Sequence, residues 1–146
     1  MRFQIVSVGR ERSDPAAPLV ADYVGRIKKF FPIENRVLPP DRNDRISEKM
    51  LKEAKKGDLL VALDERGKEY NSAAFADLVE SWMNRGVSRI VFVIGGADGL
   101  PDSIVERANL RVALSRMTFP HRLARLFLVE QLYRALCTIR RIPYQK

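Results

Sequence analysis

Two short runs of unbroken apolar residues constrain this chain more than any other feature. Leu59-Leu60-Val61-Ala62-Leu63 and, after Arg89, Ile90-Val91-Phe92-Val93-Ile94 show no alternation of polar and apolar positions. A strand with one wet face alternates, whereas an unbroken apolar strand is covered on both faces, as in a parallel sheet sandwiched between helices. The rest of the chain supplies the other strands and the covering helices. Residues 3–8 form a strand ending at Gly9, and residues 15–30 a helix with Leu19, Val20, Tyr23, Ile27 and Phe30 at helical spacing. Ile33–Leu38 is a strand closed by Pro39-Pro40, and Ile46–Lys56 a helix with a basic face stopped by Gly57-Asp58. A polar loop, Asp64 to Tyr70, leads to a helix capped by Asn71 or Ser72 and ended at Gly86. After the strand Arg89–Ile94 come a short helix near Asp102–Ala108, a short strand Arg111–Leu114 and a long terminal helix. Alternating strands and helices of this kind predict one α/β domain over residues 1–146, built on a mainly parallel sheet.

Charge is concentrated at one end of the sequence. The chain carries 26 basic and 18 acidic residues, a net charge of +8. Residues 111–146 hold seven arginines and Lys146 against one acid, Glu130, leaving 18 basic and 17 acidic residues in the other 110. A local positive field of this kind points to a polyanionic partner, nucleic acid before an anionic membrane. A membrane-surface helix would need one apolar and one basic face. The terminal helix instead sets Leu123, Leu126, Phe127, Leu128, Val129, Leu132, Tyr133, Leu136 and Ile139 around most of its circumference. That pattern predicts burial on more than one side, by the domain and by a second copy in a homodimer. No apolar run reaches the roughly 18 residues that span a bilayer. A single cysteine, Cys137, excludes an internal disulfide and suits a reducing cytoplasm. With His121 as the one histidine, a histidine-rich metal site is impossible, and no metal is expected.

In a parallel sheet, ligands bind beyond the carboxyl ends of the strands. Three loops lie there: those after Leu63, after Ile94 and after Leu114. Gly95-Gly96-Ala97-Asp98-Gly99 lacks the spacing of a dinucleotide loop and the lysine of a phosphate loop, so alone it fits a tight turn as well as a cofactor loop. Leu114 to Pro120 offers Met117 and Phe119 as apolar walls with Thr118 and backbone groups between them, a mixture suited to a flat heteroaromatic or to plain core packing. His121 follows Pro120 at a helix N-terminus, where the dipole disfavours imidazolium. Glu130 is set to pair with Arg134, four residues on. Cys137, Trp82 and Phe75 are expected in the core.

Together these segments resemble a known family. Phe92-Val93-Ile94-Gly95-Gly96-Ala97-Asp98-Gly99-Leu100, then Leu114-Ser115-Arg116-Met117-Thr118-Phe119-Pro120-His121, then Glu130-Gln131-Leu132-Tyr133-Arg134-Ala135 with a Pro143-Tyr144 tail are similar to the bacterial ribosomal RNA large-subunit methyltransferase H family of SPOUT-class enzymes. The resemblance runs from Val6-Ser7-Val8-Gly9 to the C-terminus. It implies a deep C-terminal trefoil knot, an exception to the rule against knots. It also implies a homodimer that binds S-adenosylmethionine and methylates N3 of a pseudouridine in 23S ribosomal RNA on the assembled ribosome. By motif, Leu63, Gly95, Gly96, Leu114, Ser115, Arg116, Met117, Thr118, Phe119 and Pro120 would hold the cofactor. One departure stands out, since Gln145 occupies a tail position that is commonly histidine in the family and cannot take a proton.

The chemistry suggests roles for the remaining residues. N3–H lies between two carbonyls, and positive charge near those oxygens stabilises the anion formed as the proton leaves. Arg125 and Arg134 are expected in that role, Tyr144 as the residue positioning the base, and His121 as a candidate proton acceptor. Arg122, Arg140, Arg141 and Lys146 are expected to meet RNA phosphates. Two other readings share the fold: a knotted methyltransferase acting on transfer RNA, and a non-catalytic basic ribosome-binding protein.

Overall fold

Each apolar run is a strand with helices on both sides. The computed structural model describes residues 1–144. Its strands are β1 (Arg2–Val8), β2 (Ile33–Leu38), β3 (Leu59–Glu69), β4 (Arg89–Ile94) and β5 (Leu110–Ala113). Its helices are α1 (Ala17–Ile27), α2 (Asn43–Glu53), α3 (Ser72–Asn84), α4 (Asp102–Arg107) and α5 (His121–Arg140). The strands form one sheet in the order β2-β1-β4-β3-β5, with every pairing parallel. Alternate residues of the central strands feed two cores. Phe3, Ile5, Ile90, Phe92 and Ile94 face Val24, Trp82, Leu132 and Leu136, while Val6, Val8, Val91 and Val93 face Ile46, Met50 and Ile104. Helices α1, α3 and α5 therefore cover one face, and α2 and α4 the other.

Two sequence expectations change. The segment Asp64–Tyr70 is not wholly a loop, because β3 continues to Glu69. Leu63 and Lys68 both pair with Val112, so the residues between them make an excursion and the strand then returns to β5. Gly67 permits that return, since a Cβ there would sit 2.7 Å from the carbonyl of Arg111. The second change concerns α5. Leu128, Val129, Leu132, Ala135, Leu136 and Cys137 are all buried within the domain itself, so these residues do not call for a second copy. The exposed apolar positions of the helix are Leu123 and Phe127, in its first two turns.

Among the described residues, Asp14 and Arg125 are the two buried charged side chains, and they form an ion pair with each other. Asp14 also accepts the Ala16 N–H at 2.8 Å, ordering the chain just before α1. Arg125 further approaches the Ser7 hydroxyl at 3.5 Å, while its Nε has no partner. Breaking such a pair strands a buried charge. We expect Asp14→Asn, which keeps the shape but removes the charge, to lower unfolding free energy by about 3–5 kcal/mol. Urea denaturation with a shift below about 1 kcal/mol would contradict that role.

Candidate functional site

The strand order decides the site. Strands β4, β3 and β5 are neighbours, so the loops after Ile94, Leu63 and Leu114 open side by side at the carboxyl edge. They enclose a cleft of about 820 Å³, within the range usual for a cofactor or drug-sized ligand. Leu63, Gly95, Gly96, Leu114, Ser115, Met117, Thr118, Phe119 and Pro120 all line it. The Thr118 hydroxyl donates to Glu65 at 3.0 Å and ties two of the loops together, and the Ser115 hydroxyl accepts the Met117 N–H at 3.0 Å. Met117 is 72% exposed, an apolar side chain presented to solvent at the mouth. Arg116 does not line the cleft. It pairs with Glu69 at 2.8 Å, on the returning part of β3.

The glycine loop acts differently from a simple cofactor space. Gly99 N–H donates to the Gly96 carbonyl at 3.0 Å, closing a tight turn. A Cβ on Gly95 would lie 2.3 Å from the Gly99 carbonyl carbon and 2.4 Å from the Leu100 nitrogen. Gly95 is thus required by the loop's own backbone, and a side chain there would deform the wall of the cleft. Cleft residues outside the quoted motifs are Asp64, Glu65, Arg66 and Asp102, and Asp98 and Leu100 lie within a motif but carry no expected role at the site. Their signal was their place just after the apolar strands. Arg66 holds the Asp64 carboxyl below its ordinary pKa, mainly through their side-chain hydrogen bond, so Asp64 stays ionised.

The first turn of α5 forms another wall. His121, Arg122 and Ala124 line the cleft, so Arg122 stands at its edge. The His121 ring lies against Gly9, where a Cβ would come 2.6 Å from Nε2. Burial lowers the His121 pKa first, and the nearby charges of Arg122 and Arg125 lower it further. The imidazole is therefore neutral near pH 7, as a proton acceptor must be.

Arg125 takes a different place from the one expected. It is enclosed with Asp14 behind the cleft wall and is not among the lining residues, so its charge acts through the structure and not on a base in this cleft. Arg134 and Tyr144 belong to a second cluster. Arg134 Nε donates to Glu130 Oε1 at 3.0 Å, and its guanidinium stacks 4.7 Å over the Tyr144 ring. The Tyr144 hydroxyl lies 3.2 Å from Glu130 and 3.1 Å from the Tyr23 hydroxyl, and its ring meets Tyr133 edge-on at 4.8 Å. Burial, followed by the hydrogen bond to Tyr23, raises the Tyr144 pKa, keeping the phenol protonated. Tyr144 of the tail is thus packed on the domain. Arg140 stacks 5.4 Å over Phe31, and Arg141 ends α5 in the left-handed conformation, φ 55°. Lys146 and Gln145 lie outside the described residues. Among the described residues, no three His, Cys, Asp or Glu side chains are grouped as metal ligands, and no helix is long and apolar enough to cross a membrane.

A five-stranded parallel α/β domain with its cleft walled by a glycine turn, an apolar loop and the head of the last helix matches a defined class of methyltransferases. A family model described as predicted SPOUT methyltransferase covers residues 1–145, and the chain belongs to the SPOUT methyltransferase family. Membership implies the trefoil knot of the C-terminal segment. Curated relatives called ribosomal RNA large subunit methyltransferase H are similar to it along their whole length. The protein from Anaeromyxobacter sp. (strain Fw109-5) is 42% identical over 100% of both chains. That of Sorangium cellulosum (strain So ce56) is 40% identical over 99% of each, and that of Phocaeicola vulgatus 37% identical over 99% of this chain and 98% of its own.

The single histidine makes the cleft directly observable. Because the folded state favours neutral imidazole, His121 contributes stability that is present above its ordinary pKa, near 6.5, and is lost as pH falls toward the depressed value. Proton NMR should show one imidazole titrating below that ordinary value. Gly9→Ala should displace the ring and move the midpoint upward. An identical midpoint in that variant would break the link between Gly9 and the cleft wall.

Proposed function

We propose that this protein methylates N3 of a pseudouridine in large-subunit ribosomal RNA on the assembled ribosome, using S-adenosylmethionine, as a cytoplasmic homodimer. The observation that carries the reading is the convergence of the three loops into one cleft in a chain of the SPOUT family. The residues present suit the cofactor. Met117, Phe119 and Leu114 offer apolar contact to a flat ring, and Gly95–Leu100 brings backbone groups to its edge. Asp64, Glu65 and Asp98 set negative charge around a cation. When bound, S-adenosylmethionine supplies a methyl group on a sulfonium, an already activated leaving group, so no metal is needed.

The chain's own residues then handle the base. Arg134, held by Glu130, presents positive charge to the oxygens flanking N3, and Tyr144 beside it positions the ring. Neutral His121 at the cleft is the candidate acceptor of the N3 proton. A single chain separates these groups, because His121 and Arg134 are 13 residues apart on α5, about 20 Å at 1.5 Å per residue. A two-fold dimer resolves the separation. The exposed Phe127 lies seven residues after Pro120 and seven before Arg134, on one stripe of the helix. Antiparallel packing of two α5 helices about Phe127 would set Arg134 of one copy level with Pro120–His121 of the other. Leu123 and Phe127, the exposed members of the apolar set on α5, form the proposed contact.

Labelled S-adenosylmethionine with ribosomes, separated subunits or transfer RNA distinguishes the readings, since methyl transfer confined to transfer RNA, or none at all, would reject this one. Arg134→Ala should bind cofactor normally in calorimetry yet lose two or more orders of magnitude in rate. Met117→Glu with Phe119→Ala should lose cofactor affinity. Mixing these two inactive proteins and allowing exchange should recover about one quarter of wild-type activity, from the intact site in each heterodimer. No recovery would mean that each chain works alone. Phe127→Glu should give monomers with little activity, and sedimentation of that variant as an unchanged dimer would remove the proposed contact.

A further inference from the structure

The two ends of the sheet carry very different charge. At the cleft end, the connecting segments 9–16, 39–42, 64–71, 95–101 and 114–120 hold six basic residues against seven acids, close to neutral. At the opposite end, the segments 28–32, 54–58 and 85–88 hold Lys28, Lys29, Lys55, Lys56 and Arg85 against one acid, Asp58. Asp58 is itself paired with Arg89 and accepts the Lys55 N–H at 2.8 Å. Arg2 opens β1 at this end, its N–H bonded to the Ser88 carbonyl at 2.9 Å. The last turn of α5 arrives here as well, since Arg140 stacks over Phe31 in the turn before β2, with Arg141 next to it. All eight basic side chains are exposed. None of the eight has an ion-pair partner among the described residues, while at the same end Arg26 is paired with Asp22 and Arg89 with Asp58.

Helix C-termini favour cations, and that preference accounts for one such residue per helix. It does not account for doubled lysines after both α1 and α2 and an arginine at the start of a strand, where the nearby acids are Asp58, already paired with Arg89, and Glu34 at the start of β2. Unpaired like charges on one surface repel one another and destabilise the fold, so the arrangement calls for a polyanion to sit against it.

We infer that this pole is a second RNA-docking surface, which grips phosphate backbone far from the base that enters the cleft. The inference rests on the proposed ribosomal substrate. Helix α5 runs from one end to the other, and its 20 residues span about 30 Å. Phosphates at Lys28, Lys55 and Arg140 therefore belong to a part of the RNA well separated from the methylated nucleotide. The pole reads no sequence. It recognises a folded RNA that offers backbone at the correct distance from the target, which selects an assembled particle over a short strand.

The test uses the full-length protein and purified ribosomes. Lys28→Gln with Lys29→Gln, and separately Lys55→Gln with Lys56→Gln, remove charge from exposed turns, and Arg42→Gln with Arg45→Gln removes the same charge elsewhere. Each pole pair should raise KM for ribosomes about tenfold with kcat and S-adenosylmethionine affinity unchanged. Each should also flatten the plot of log affinity against log salt by about 1.4–1.8, the two-phosphate increment. The Arg42/Arg45 control should change neither by as much. Pole variants that match wild type in KM and slope would overturn the inference, as would a control that weakens binding equally, since a diffuse field would then suffice. Wild-type protein that neither binds nor methylates ribosomes would overturn the proposed function and this surface together.

Discussion

The buried pair of Asp14 and Arg125 ties the ends of the chain together. Asp14 stands at the entrance to α1, and Arg125 lies four residues into α5, so their contact fixes the position of the last helix against the first loop. Residues four apart share a helix face, so the rotation that buries Arg125 also turns His121 toward Gly9 and the cleft. The same guanidinium charge helps keep the imidazole neutral. An isolated arginine could not be buried at acceptable cost, and an unpaired aspartate before α1 could not hold the helix in register. The pair thus sets the seating of α5 and with it the place of the candidate acceptor, whose neutral state is due first to burial.

Helix α5 connects three regions that the sequence leaves undistinguished. Its first turn walls the cleft, its middle is core, and its end reaches a basic pole on the far side of the sheet. The cleft end is close to neutral and offers little net attraction to an RNA backbone. Positive charge set 30 Å away can hold the RNA without competing for that space. In the proposed dimer the two-fold axis brings the Arg134–Glu130–Tyr144 cluster of one copy toward the cleft of the other, which a single helix cannot achieve by itself.

Much of the architecture was legible because periodicity reports burial. The unbroken runs at Leu59–Leu63 and Arg89–Ile94 became central strands, Asn71 capped α3 by accepting the Ala74 N–H at 2.8 Å, and Glu130 paired with Arg134. The cleft loops were legible because a parallel sheet sends its carboxyl ends to one side. Misreadings arose where one residue type serves opposite purposes. Leu132 and Leu136 looked like surplus apolar surface, yet β1, β4, α1 and α3 together leave room to bury them. Arg125 looked like an RNA-facing charge, but Asp14, 111 residues away in sequence, claims it. Tyr144 was expected to position the base, and Tyr23, Glu130, Tyr133 and Arg134 form a seat for it that no local pattern signals.

By itself, the sequence determined what is local: the order and type of the strands and helices, the cap at Asn71, and that its positive charge gathers in the last quarter of the chain, while bounds such as those of α2 and β3 shifted with packing. It also determined the family, through three ordered motifs. Only the tertiary structure decided which distant residues meet. Strand order placed β3, β4 and β5 side by side, so that three loops share one cleft. Packing chose which of the terminal arginines is enclosed, which is stacked and which is free. The lysines after α1 and α2 became part of one basic surface because every helix that returns antiparallel to a parallel sheet ends at the same pole, a consequence of connectivity that no local pattern records.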